Sequence, residues 1–171
     1  PAFGTSHKTK SNAFKLCKAL GLTLNEIDIN ESVKIHLRDI GHDGITQDTA
    51  YENAQARERT QILFDLANMH NGIVIGTGDL SENMQGFATF NGDQMSNYSL
   101  NASLTKTEIR YIVAAIAEST ENIELKLVLN EILDTPISPE LISQDKGEIS
   151  QKTEDIIGPY ELIDFFIYEH L

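Results

Sequence analysis

The residues of this chain with the most chemistry in them lie close together. Gly76-Thr-Gly-Asp-Leu-Ser-Glu82, Gly86-Phe-Ala-Thr-Phe-Asn-Gly-Asp93 and Asn101-Ala-Ser-Leu-Thr-Lys106-Thr bring glycines, hydroxyls, three carboxylates and one lysine into a single stretch. The stretch follows the apolar run Ile73-Val74-Ile75. Anion-binding groups at the carboxyl end of a buried strand are the chemistry of a nucleotide site.

Each part also has a plainer reading. Gly76-x-Gly78 lacks the third glycine of a dinucleotide fingerprint, and no acidic residue ends a second strand about twenty positions later, so a simple strand-ending turn accounts for it. Asp79 and Glu82, with Asp93 further on, can give Mg²⁺ one or two oxygen ligands or can form a solvated acidic loop. Arg57, Arg59 and Lys106 are the nearest cations, and Arg57 and Arg59 cannot share a helix face because i and i+2 point apart. Phe87, Phe90 and Tyr98 can stack on a ring or pack a core. The five histidines show no metal-ligand spacing. Thr135 and Ser138 flank prolines as turn stabilisers, and without a Gly-x-Ser-x-Gly elbow covalent catalysis has no support.

The elements that must position these groups read as alternating helices and strands. Ser11 can cap a helix over Asn12 to Leu20 that stops at Gly21, and Leu22 to Ile29 alternates as a short strand. A helix over Glu31 to Ile40 ends at Gly41-His-Asp-Gly44, and the longest helix runs from Ala50 to about His70 on Ala54, Ile62, Leu63, Leu66 and Met69. Ile73 to Gly76 reads as a wholly apolar strand of a parallel sheet, followed by a functional loop with short helical turns from Thr77 to Ser103. Helices over Lys106 to Glu118, Ile123 to Leu133 and Tyr160 to Leu171 complete the chain. The pattern is α/β, a parallel sheet flanked by helices, yet two strands leave the sheet short of members.

At 171 residues the chain is one domain with a core of its own. Thirteen basic against 26 acidic residues, a net charge of −13, disfavour a nucleic-acid partner but not a small nucleotide held by local cations and amides. No segment reaches the length of apolar residues that a membrane span needs. A single cysteine, Cys17, fits a reducing, cytoplasmic setting.

Taken as a set, Tyr51-Glu-Asn-Ala-Gln-Ala-Arg57-Glu-Arg, Gly76 to Glu82, Gly86 to Ser96, Asn101-Ala-Ser and Asp134-Thr-Pro-Ile-Ser-Pro-Glu140 resemble the synthetase domain of NAD synthetase, nearest its glutamine-dependent branch. The resemblance runs from Phe3-Gly-Thr-Ser6 to Gly158-Pro-Tyr-Glu-Leu-Ile-Asp-Phe-Phe166. It implies an N-type ATP pyrophosphatase fold, similar to the adenine nucleotide alpha hydrolases. It also implies ATP-dependent amidation of deamido-NAD through an NAD-adenylate, with ammonia displacing AMP and with Mg²⁺ taking part. The implied partners are deamido-NAD, ATP and ammonia, a second copy in a homodimer, and an upstream glutaminase domain.

Position by position, the resemblance assigns Thr77, Lys106 and Ser138 to ATP, with Lys106 and Asp79 as catalytic residues. Deamido-NAD falls to Asn53, Arg57, Glu82, Phe87, Ala88, Thr89 and Phe90, and Mg²⁺ to Glu82. Thr77, Glu82, Lys106 and Arg57 are then expected to converge on one cavity. Thr105 replaces the proline common before the lysine, and can cap the helix that Lys106 begins.

Two departures concern extent. The family's Ser-Gly-Gly-x-Asp-Ser phosphate loop is absent, as is its lysine-bearing region beyond Leu171, so residues 1–171 read as the C-terminal part of a single ligase domain. A piece without its phosphate loop is expected to be inactive alone. The alternatives are a non-catalytic remnant that binds a dinucleotide or only oligomerises, and another amidotransferase of the same fold acting on a purine nucleotide.

Overall fold

The computed structural model describes residues 1–138, 141 and 153–170. Pro139, Glu140, the polar run through Lys152 apart from Leu141, and Leu171 lie outside them. In chain order the elements are α1 (His7–Ala19), α2 (Asn30–Asp39), α3 (Thr49–Met69), β1 (Ile75–Gly76), α4 (Leu80–Gln85), β2 (Tyr98–Ser99), α5 (Lys106–Ser119), α6 (Ile123–Leu133), α7 (Thr153–Ile157) and α8 (Tyr160–His170).

Side-chain caps set most helix starts. Ser6, rather than Ser11, begins α1: its buried hydroxyl accepts the Thr9 N–H at 3.1 Å, so the helix opens before the expected cap. Asp48, Asp79, Thr105 and Asn122 cap α3, α4, α5 and α6 in the same way. The short helix α7 was not foreseen, since five residues carry too little periodicity to read.

The sheet departs from expectation. Leu22 to Ile29 form no strand; instead Leu24, Ile27 and Ile29 line an apolar groove of about 630 Å³ with Phe14 and with Ile62, Leu63 and Leu66 of α3. Alternation alone cannot make a strand without a neighbour to accept its hydrogen bonds. The second half of α3 therefore stays open, with Leu63 half-exposed and Met69 largely exposed rather than buried. β1 pairs in parallel with β2, Ile75 opposite Tyr98 and Gly76 opposite Ser99. Ile73 and Ile75 are exposed, so the run is not the wholly buried strand its composition suggests. Gly76 has to be glycine, because a Cβ there would stand 2.7 Å from the Ser96 Cβ.

The core gathers Ala2, Ile29, Val33, Leu37, Tyr51, Ala54 and Leu141. Val33 and Leu37, one turn apart, lock α2 onto α3. Gln55, fully buried, ties the chain together: Nε2 donates to the carbonyls of Tyr51 at 3.1 Å and Leu141 at 2.8 Å, and Oε1 accepts the Phe3 N–H at 3.0 Å. α6 packs on α1 and α5, while α8 packs on α4 and α5 and brings the C-terminal residues to the carboxyl end of β1. No described helix is long and apolar enough to cross a membrane.

Candidate functional site

Two helix starts face each other just beyond β1. Asp79 opens α4 with a capping box: its Oδ1 accepts the Glu82 N–H at 2.9 Å, and Glu82 Oε2 accepts the Asp79 N–H at 3.2 Å. Thr105 opens α5 with another, Oγ1 accepting the Glu108 N–H at 3.2 Å while Glu108 Oε2 accepts the Thr105 N–H at 2.8 Å. The threonine in place of proline thus caps the helix, and Lys106 becomes its first residue.

From that position Lys106 reaches back across α4. Its Nζ lies 2.6 Å from Asp79 Oδ2 and 2.7 Å from Glu82 Oε1, and 5.5 Å from the centroid of the Tyr160 ring. The Lys106 side chain is 18% exposed, that of Asp79 1% and that of Glu82 25%. Burial disfavours the ammonium, but hydrogen bonds to Asp79 and Glu82 and their charges outweigh it and hold Lys106 above the usual lysine range. Burial pushes the Tyr160 phenol up to about 12, with Lys106 opposing and the Glu82, Asp79 and Asp164 carboxylates adding to it.

A second group sits at the other end of α4. The Phe87 N–H donates to the Glu82 carbonyl at 3.0 Å as the helix ends at Gly86, which adopts a φ of 65°. The loop that follows leans on α3: Thr89 Oγ1 lies 3.1 Å from Asn53 Oδ1, and Arg57 Nε donates to the Phe90 carbonyl at 3.1 Å. Asp93 Oδ1 accepts the Thr89 N–H at 2.7 Å. Phe87, Ala88 and Thr89 line a hollow of about 290 Å³ with Glu52, Gly86, Asp93, Leu141 and Ile156. Phe90 is mostly exposed, with its ring turned to solvent.

The expected residues thus fall into two groups joined by α4. Lys106, Asp79 and Glu82 touch one another at its start. Asn53, Arg57, Phe87, Ala88, Thr89 and Phe90 gather beyond its end. Thr77 is exposed in the turn between β1 and Asp79. Ser138 is partly buried and follows Ile137, which lines a cleft of about 690 Å³ with Thr107 and Tyr160. Of the four residues expected to converge on one cavity, Thr77, Glu82, Lys106 and Arg57, Glu82 and Lys106 are in direct contact, and Arg57 donates to the Phe90 carbonyl.

Sequence reasoning missed Ser81, Tyr160 and Asp164, which surround Lys106 from α4 and α8. Their spacing on α8, i and i+4, places Tyr160 and Asp164 on one face, but what that face meets is distant in sequence.

The donors do not fit Mg²⁺ as they stand. Among the described residues no three metal-ligating side chains cluster. Both Glu82 oxygens already meet protein donors, and the ammonium of Lys106 lies between the carboxylates where a cation would sit. The corner is built for a lysine.

Known proteins give this geometry a context. A glutamine-dependent NAD(+) synthetase of Mycobacterium leprae is 46% identical over all of this chain, which spans 26% of that relative's length. The NMN synthetase of Francisella tularensis superposes with a TM-score of 0.78 at 27% identity, covering 99% of this chain and 64% of that one. A glutamine-dependent NAD+ synthetase of Acinetobacter baumannii, solved with ADP, shares the fold with a TM-score of 0.70 at 23% identity over 81% of this chain and 26% of that one. The α/β arrangement with a parallel sheet is therefore that of the NAD synthetases. The NAD synthase family model matches residues 1–170, and the chain belongs to that family.

Proposed function

We propose that the full-length protein carrying this region makes NAD by ATP-dependent amidation of deamido-NAD. The observation that carries the reading is Lys106, aimed by one capping box at the carboxylates of another at the carboxyl end of β1. Family membership supplies the reaction class. A carboxylate cannot exchange oxygen for ammonia directly, because oxide is a very poor leaving group. Its oxygen instead attacks the α-phosphorus of ATP and expels pyrophosphate; ammonia then attacks the acyl carbon and expels AMP.

In this reading Lys106 neutralises phosphate charge, and arriving phosphate oxygens compete with Asp79 and Glu82 for its ammonium. Asn53 and Arg57 hold the loop from Phe87 to Phe90 against the dinucleotide. Thr77 and Ser138 approach ATP from the turn after β1 and from the proline-bearing segment. Mg²⁺ would come with ATP, whose phosphates supply the oxygen ligands that the protein donors present do not. Glutamine supplies the ammonia through a glutaminase domain elsewhere in the parent protein, which works as a cytoplasmic homodimer. In this reading residues 1–171 supply part of its ligase domain.

The likeness to the NMN synthetase favours a second reading, in which the acid is nicotinate mononucleotide. Full-length protein supplied with ATP, ammonia and either acid separates the two by product. NAD from deamido-NAD with the higher kcat/KM supports the first reading; preference for the mononucleotide supports the second. Calorimetry of residues 1–171 with deamido-NAD completes the test, since a purely structural remnant gives no saturable heat.

A further inference from the structure

Asp164 of α8 is buried, at 4% exposure, where the starts of α4 and α5 meet. Its Oδ1 accepts the Ser81 hydroxyl, and its Oδ2 accepts the Thr107 N–H at 2.8 Å. Ser81 Oγ in turn accepts the Lys106 N–H at 2.8 Å. The amides of Lys106 and Thr107 are the first two of α5 and have no acceptor within their own helix. One carboxylate therefore satisfies both, the second directly and the first through Ser81.

We propose that Asp164 is a positioning residue for Lys106, an inference that rests on Lys106 being the phosphate-facing cation of the proposed reaction. The network fixes the backbone of Lys106 against the same helix that presents Asp79 and Glu82. Lys106 is the first residue of α5, so any slip of that helix start moves its ammonium directly. Tyr160, one turn before Asp164 on α8, places its ring 5.5 Å from Lys106 Nζ. α8 thus grips the backbone of Lys106 with one residue and flanks its ammonium with another. A carboxylate is needed for the grip, because both of its oxygens accept; a carboxamide keeps one acceptor and turns an N–H₂ group toward a donor. The Thr105–Glu108 capping box takes the amides of Thr105 and Glu108, and the Asp164 network takes the two it leaves, those of Lys106 and Thr107.

The test uses the full-length protein with Asp164→Asn, with Ser81→Ala, and with Gln55→Ala as a remote destabilised comparison. The first readout is the rate at which an amine-reactive ester modifies Lys106, followed by peptide mass spectrometry at a temperature where every variant is folded. Losing one charge-assisted hydrogen bond corresponds to roughly tenfold in a local population, so Asp164→Asn and Ser81→Ala should label Lys106 about tenfold faster. Gln55→Ala should label it at the wild-type rate. In the NAD-forming assay kcat should fall by about tenfold for Asp164→Asn and Ser81→Ala. Unchanged labelling in those two variants, or an equal rise in Gln55→Ala, overturns the proposal. If Asp164→Asn does not fold, Ser81→Ala decides. A wild-type protein that forms no NAD contradicts the functional reading alone, and the labelling still decides whether Asp164 positions Lys106.

Discussion

Lys106 Nζ lies 2.6 Å from Asp79 Oδ2, while the other oxygen of Asp79 accepts the Glu82 N–H at 2.9 Å. One carboxylate thereby caps a helix and pairs with a cation, so the order of α4 and the direction of Lys106 depend on each other. Because the Asp79 side chain is only 1% exposed, solvent cannot replace either interaction.

Substitutions at Asp79 should separate the two roles. Asp79→Asn keeps a good cap and loses the charge, whereas Asp79→Ala loses both. Denaturant unfolding should show Asp79→Ala less stable by about 2 kcal/mol, with Asp79→Asn recovering roughly 1 kcal/mol of that. Equal losses would mean that capping contributes nothing.

Alkaline unfolding should report on Lys106. Its pKa is raised in the folded state, so the stability it contributes is fully present below the ordinary lysine value of 10.5 and is lost as pH rises through the folded value. Tyr160 acts in the same direction, its contribution fading between the ordinary phenol value of 10.0 and about 12. Stability measured against pH should therefore decline above about pH 10, and Tyr160→Phe, which keeps the ring beside Lys106, should reduce that decline. A decline of the same size in Tyr160→Phe would remove the phenol from the account.

Gly76→Ala tests the close approach of β1 to the loop before β2. A Cβ 2.7 Å from the Ser96 Cβ should cost about 2 kcal/mol, and adding Ser96→Gly should restore most of it. Additive losses in the double variant would show that the clash lies elsewhere.

Loosening the loop from Phe87 to Phe90 should affect substrate binding more than stability. Asn53→Ala and Arg57→Lys each remove one hydrogen bond to that loop, at a cost within about 1 kcal/mol. Amide exchange over residues 87–93 should quicken by about fivefold, and KM for deamido-NAD in the full-length protein should rise with little change in kcat. Unchanged exchange would show that the loop is held by other contacts.

What could be read from the sequence was whatever is local. The 3.6-residue period and caps such as Thr105 locate α3, α5, α6 and α8 to within a residue or two, because those interactions span at most four positions. Leu22 to Ile29 misled because alternation records a face to be covered, and here it faces a groove beside α3 rather than a paired strand. β2 was hidden because Tyr98 and Ser99 carry no apolar alternation of their own, and their pairing with Ile75 and Gly76 is set by the chain between. At the site, the resemblance singled out Asp79, Glu82 and Lys106 each in its own role, and the structure brings the three into contact. Asp164 escaped because Ser81, which its carboxylate holds, lies 83 residues away in sequence.

The central claim is that Lys106, poised between Asp79 and Glu82, carries phosphate charge during amidation. Its most direct test is the initial rate of NAD formation from deamido-NAD, ATP and ammonia by the full-length protein, wild type against Lys106→Met. The account predicts a loss of about 10² to 10³ in kcat/KM with the fold retained by circular dichroism. A Lys106→Met protein that forms NAD at the wild-type rate would contradict it.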